Sequence, residues 1–165
     1  MMRLSLRLCT VAILGLLAAG CTTPDQSAYQ QGGRFAVNFF DGEKLRAENG
    51  RFLYRESTGL RQLDLLTPLN GVLARIEVTA RETCLTRSSG ETTCRPSAGT
   101  LLEELIGFDI PVEALGSLLR DGTMPAGVTQ WQARVRARHE DGRVKTLTIT
   151  PLFPNNVKSL SIVAD

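Results

Sequence analysis

Few side chains in this sequence are of a type that does chemistry, and their spacing decides which chemistry is open to them. Cysteines stand at positions 9, 21, 84 and 94, and His139 is the single histidine. Cys84 and Cys94 flank a segment centred on Ser88-Ser89-Gly90, which reads as a hairpin tip with Arg87 opposite Glu91. Symmetric pairing about Ser89 sets Cys84 across from Cys94, a candidate cross-strand disulfide in an oxidising compartment. Two free thiols or half of a metal site are the alternatives, but neither a histidine nor a second cysteine pair lies near enough to complete a site. His139 sits beside Glu140 and Asp141 at another tip, with no nucleophile argued to converge on it, and reads as a solvated turn residue. There is no HExxH, no GxSxG and no glycine-rich phosphate loop. An enzyme is not expected, nor a metal or a cofactor.

Cys21 belongs to a different context. The chain opens with a short basic stretch holding Arg3 and Arg7, followed by an uncharged run at 8–19. Such a run is too short to cross a hydrocarbon core as a helix, which takes ~20 residues, and reads as the apolar part of a secretory signal. Lys and Arg number 19 against 17 Asp and Glu, and Arg3 and Arg7 account for the whole excess. The signal ends Leu17-Ala18-Ala19-Gly20-Cys21. This resembles a bacterial lipobox, in which a small residue precedes the cut and a thiol receives a diacylglyceryl group. A conventional signal with an incidental cysteine is the other reading. Thr22 follows the cysteine, where Asp is the usual signal for inner-membrane retention, so the resemblance implies outer-membrane sorting. The expected division is a signal at 1–20, a lipidated N-terminus and polar tether at 21–32, and a single domain at 33–165.

That domain reads as strands with one helical interruption. Strand patterns cover 34–40, with Phe35, Val37 and Phe39 on one face, and 46–55, with Phe52 and Tyr54. Segments 60–69 and 72–80 join at Asn70-Gly71, a strong two-residue hairpin signal. That turn would pair Leu69 with Val72, Leu65 with Ile76 and Leu63 with Val78, giving a nearly unbroken aliphatic face. After the cysteine hairpin, Ser97 is a helix N-cap, Leu101, Leu102, Leu105 and Ile106 form a stripe, and Gly107 ends it. Pro111 starts a second helix whose buried face is Val112, Leu115, Leu118 and Leu119, ending near Gly122. Strands resume at 130–138, 144–150 and 157–163. The fold class expected is mainly β: an open antiparallel β-barrel, or half-barrel, of about nine strands in sequential hairpins, with a two-helix lid inserted. Arg134, Arg136 and Arg138 share one strand face without interleaved aromatics, which reads as a solvated face, with a weak contact to anionic headgroups as the second choice, and not as a nucleic-acid site.

Several segments in order then resemble one family. They are Gly33-Arg34-Phe35-Ala36-Val37, Phe52-Leu53-Tyr54, Leu65-Leu66-Thr67-Pro68-Leu69-Asn70-Gly71, Leu101-Leu102 with Gly107, and Ile110-Pro111-Val112 with Leu115. With the lipobox they resemble LolB, the outer-membrane receptor that accepts lipoproteins from a periplasmic carrier of the LolA type. The resemblance implies client lipoproteins as partners, attachment to the outer membrane through the lipid anchor, no nucleic acid and a monomer. It also implies a loop of Pro68, Leu69, Asn70 and Gly71 that delivers the client to the membrane, with Leu69 exposed. Read without it, Leu69 is the last inward residue of a tight hairpin. The acyl-chain cavity would be lined by Phe35, Val37, Leu63, Leu65, Val72, Ile76 and Val78 from the sheet, and by Leu101, Leu105, Leu115 and Leu118 from the helices. A structural or assembly lipoprotein with a filled core is the alternative.

Overall fold

The computed structural model describes residues 29–69, 71–106, 112–154 and 156–165. The expected signal, Cys21, Asn70, Gly107 and Pro111 lie outside the described residues, as does the side chain of Leu105. Nine strands and two helices follow in chain order: β1 (Tyr29–Phe40), β2 (Leu45–Ser57), β3 (Leu60–Leu66), β4 (Val72–Val78), β5 (Thr83–Arg87), β6 (Thr92–Arg95), α1 (Ala98–Ile106), α2 (Val112–Arg120), β7 (Trp131–Arg138), β8 (Val144–Pro151) and β9 (Val157–Ala164). All nine strands lie in one antiparallel sheet of order β6-β5-β4-β3-β2-β1-β9-β8-β7. The sheet does not close: β6 and β7 are its two edges.

Hairpins link β1 to β6 in sequence, and β7 to β9 likewise, but the two groups meet through β1 and β9. Phe35 pairs with Ile162 and Val37 with Leu160 across that seam. β1 begins at Tyr29, so residues 29–32 of the expected tether are already strand. Gln31 is buried there, its amide donating to the carbonyl of Asp165 at 2.8 Å.

Alternation fixes which side of each strand is buried. On β3, Leu63 and Leu65 face inward while Asp64 faces the other side, held by Arg55 at 3.0 Å and Arg75 at 2.7 Å. The β3–β4 register differs from the one expected. Leu63 pairs with Ile76, Leu65 with Ala74 and Leu66 with Val72, with an irregularity between Leu65 and Leu66. The connection is therefore a longer loop, closed by Thr67 N–H donating to Gly71 O at 2.8 Å. A slip of two residues preserves the face of every side chain, which is why the aliphatic face survives although the pairing moved. At the cysteine hairpin the expected register holds: Cys84 lies opposite Cys94 and the two are joined as a disulfide.

The helices cover the apolar face. Ser97 Oγ accepts from Gly99 N–H at 3.2 Å, capping α1. α1 packs on β4, β5 and β6, and α2 on β2, β3 and β8, so together they bridge the two halves of the open sheet. At the end of α2, the N–H of Gly122 reaches the carbonyls of Ser117 and Leu118, with φ at +80°. A Cβ there would also collide with Val135 on β7. Gly122→Ala is therefore expected to cost about 1–3 kcal/mol of unfolding free energy. Thermal denaturation followed by circular dichroism checks this, with a midpoint lowered by roughly 3–10 °C.

Candidate functional site

The site is a space between sheet and helices, and its floor depends on two glycines. Phe35 on β1 pairs with Gly50 on β2, and Gly33 on β1 pairs with Phe52 on β2. A Cβ at Gly50 would sit 2.6 Å from the Phe35 ring, and one at Gly33 would lie 2.9 Å from the Phe52 ring and strike the Val163 carbonyl. Each large ring thus lies over a residue with no side chain, and both rings turn into the concavity. Leu63 and Leu65 of β3 extend the floor on one side, Leu160 and Ile162 of β9 on the other. Leu102 of α1 and Leu115 and Leu119 of α2 form the roof.

The cavity is about 40 Å³, and all nine residues lining it are apolar. It is open to hydrocarbon but has no partner for a charge, a nucleophile or a metal ion among its lining. Pockets for whole ligands occupy ~300–1,000 Å³. The space is thus small for a whole ligand, with Leu102, Leu115 and Leu119 of the roof set over its floor.

α2 is fastened at its C-terminal end. Arg120 donates to Glu56 on β2 at 2.8 Å, and its guanidinium lies 4.8 Å from the centroid of the Tyr29 ring. The hydrogen bond to Glu56 holds the Arg120 pKa above its ordinary value. Burial pushes the Tyr29 hydroxyl upward, so the ring is neutral beneath the cation. Gly116, one turn earlier, brings the helix against this corner: a Cβ would lie 2.9 Å from both Tyr54 Oη and Glu56 Oε2.

Of the expected lining residues, Phe35, Leu63, Leu65 and Leu115 are brought together around the cavity. Val37, Ile76, Val78, Leu101 and Leu118 are buried in the surrounding core without facing it. Val72 is 41 % exposed at the end of the β3–β4 loop and does not face the cavity, because the longer loop moved it beyond the covered part of the sheet. Phe52, Leu102, Leu119, Leu160 and Ile162 were not anticipated. The signal for Phe52 was its place opposite a glycine, while Leu160 and Ile162 depend on the β1–β9 seam, which joins segments far apart in sequence. Leu69 is 94 % exposed on its loop. The described part of that loop carries Pro68, Leu69 and Gly71, with Thr67 Oγ1 accepting from Gly71 N–H at 3.0 Å.

Comparison with known proteins places these features in a family context. The family model described as Outer membrane lipoprotein LolB matches residues 27–151. The outer-membrane lipoprotein LolB of Bordetella petrii is 32 % identical over 150 residues, covering 76 % of this chain and 75 % of that protein. Its namesake from Bordetella pertussis is 30 % identical over 147 residues, covering 81 % and 73 %. That of Cupriavidus necator is 29 % identical over 147 residues, covering 84 % and 72 %. The family match stops at the end of β8, so β9, which supplies Leu160 and Ile162, lies outside the matched span.

Two outcomes follow from this geometry. Gly50→Ala forces the Phe35 ring toward the cavity and is expected to weaken binding of a fluorescent fatty-acyl probe about 3- to 10-fold, a loss of roughly 1 kcal/mol. Arg120→Ala removes the fastening of α2. Its side chain is partly solvated, so the loss is about 1 kcal/mol, seen as amide exchange in α2 about 3- to 10-fold faster while the sheet is unchanged.

Proposed function

This chain belongs to the LolB family of outer membrane lipoproteins, and from that premise we propose that it is a receptor for other lipoproteins, holding their acyl chains between sheet and helices. It takes the client from a periplasmic carrier of the LolA type and releases it into the inner leaflet of the outer membrane. On this reading residues 1–20 are removed, Cys21 carries the lipid that keeps the protein at that membrane, and the domain acts as a monomer. The observation that carries the proposal is the wholly apolar cavity roofed by a fastened helix pair. Binding and release by hydrophobic burial suffice, so the reaction breaks no covalent bond of the client and consumes no nucleotide.

The chain of custody is thermodynamic. A client passes from carrier to receptor to bilayer when each environment is more favourable for its acyl chains than the last. The small resting cavity means that a client must displace the roof, and the leucines of α1 and α2 then exchange contacts with the floor for contacts with lipid. Leu69 stands at the tip of the β3–β4 loop with nothing packed on it, suited to enter lipid at the moment of release. Full burial of one such side chain gains ~1.5–3 kcal/mol. That is too little to anchor the protein and enough to bias a transfer step.

The test is transfer. The chain from residue 21 carrying Cys21→Ala, mixed with a lipoprotein-loaded carrier, is expected to take over the lipoprotein. A folded domain that takes none overturns the receptor reading. Leu69→Glu is expected to accept the client normally and to deliver it to liposomes about 10- to 100-fold more slowly. Unchanged delivery would return Leu69 to the role of an ordinary loop residue.

A further inference from the structure

The large apolar side chains that remain exposed among the described residues are not scattered. They are Phe40, Leu45, Leu69, Val72, Leu73, Leu152 and Phe153. Phe40 and Leu45 flank the β1–β2 turn, Leu69 lies in the β3–β4 connection with Val72 and Leu73 at the start of β4 beside it, and Leu152 and Phe153 belong to the β8–β9 connection. In the order β4-β3-β2-β1-β9-β8 these are three successive hairpins, and antiparallel pairing puts all three tips at one end of the sheet. Phe40 N–H donates to Asn156 O at 2.9 Å, tying two of the tips together. The turns at the other end, Thr58-Gly59, the stretch 79–82 and the stretch 139–143, carry no large apolar residue.

We propose that these three tips form one bilayer-contacting rim, in which Leu69 is a single element and the Phe40–Leu45 and Leu152–Phe153 tips enter the same phospholipid surface. The inference rests on the receptor reading above and says how the receptor sits while it delivers. Two observations favour lipid over a protein partner. The apolar residues ride on separate tips of unequal reach: Arg51 is the residue opposite Leu66, so β2 from Leu45 to Gly50 runs on past the end of β3. A fluid surface accommodates such an outline without a matching relief. The Lys158 ammonium lies 5.1 Å from the Phe40 ring centroid, and Lys44 stands in the β1–β2 turn together with Asp41 and Glu43. Cations beside apolar tips suit the headgroup level, where long side chains keep their charge in the polar layer.

The length of the N-terminal chain limits how the rim sits. Tyr29, where β1 begins, is at the opposite end of the sheet from the tips. Eight peptide steps from Cys21 to Tyr29 reach at most about 29 Å. The eleven steps of β1 carry the chain about 36 Å away from that point. An anchor and a rim in one leaflet are thus compatible only with strands leaning well away from the membrane normal, which lays successive tips along the surface.

The experiment uses the lipidated full chain in phosphatidylethanolamine–phosphatidylglycerol vesicles containing brominated lipid. Leu45→Trp, Leu69→Trp and Phe153→Trp are compared with the unsubstituted chain, whose one tryptophan, Trp131, is buried, and with Glu140→Trp at the β7–β8 turn, at the opposite end of the sheet. Blue-shifted emission and loss of intensity by bromolipid for Leu45→Trp, Leu69→Trp and Phe153→Trp, with Glu140→Trp unaffected, are expected. Quenching of Leu69→Trp alone overturns the rim and leaves the receptor reading intact. No quenching at any of the three overturns the rim, and client transfer measured on the same variants reports separately on the receptor. Shielding of positions 45 and 153 only when the carrier is added assigns these tips to a protein surface and also overturns the proposal.

Discussion

An antiparallel sheet that does not close on itself leaves an apolar concave face that no strand can cover, and the rest of this structure answers to that face. Closure would have buried the face against itself and removed both edges. Here β6 and β7 remain apart, and α1 and α2 lie over the concavity between them. The helices are too short to be stable alone in water, so they are held by the surface they cover. The cover is consequently a separate layer, whereas the floor is a continuous ladder of strands. A binding site in this position combines a rigid half with a displaceable half, and the division follows from topology before any ligand is considered.

The parts of this arrangement visible in the sequence are those governed by local period. Leu63, Leu65, Ile76 and Val78 share a face because strands alternate, and they share it even though the β3–β4 pairing differs by two residues from the one Asn70-Gly71 suggested. The turn signal competed with two hydrogen bonds of Thr67, whose N–H donates to Gly71 O and whose Oγ1 accepts from Gly71 N–H, closing a longer loop, and Val72 and Leu69 were carried outward together. The cysteine hairpin kept its expected register because its own symmetry, and no long-range contact, determines it.

What lay beyond reach was non-local. Pairing of β1 with β9 places Leu160 and Ile162 in the cavity, and no pattern within either segment announces that seam. Rotation of each helix about its axis was also open, since Leu101 and Leu102, or Leu118 and Leu119, belong to the same stripe. The sheet selected Leu102 and Leu119 to face the cavity and turned Leu101 and Leu118 into the flanking core. The glycines at 33 and 50 carried more information than their type suggests: each marks where an aromatic ring from the neighbouring strand must lie.

On the proposed receptor reading, the small resting cavity bears on affinity as well as access. Were the concavity empty and preformed, the full burial of an incoming acyl chain would appear as binding free energy, and release into lipid would be slow. With Leu102, Leu115 and Leu119 already packed over Phe35 and Phe52, the ligand replaces contacts that the protein makes with itself. The net gain is the difference between two hydrophobic burials and is smaller than either. The disturbed Arg120–Glu56 and Arg120–Tyr29 contacts subtract a little more. The roof is therefore a competitor for its own floor, and that competition keeps an acyl chain exchangeable. A site that must hand its ligand to a bilayer, the most favourable apolar environment available, gains from being only moderately better than its own empty state.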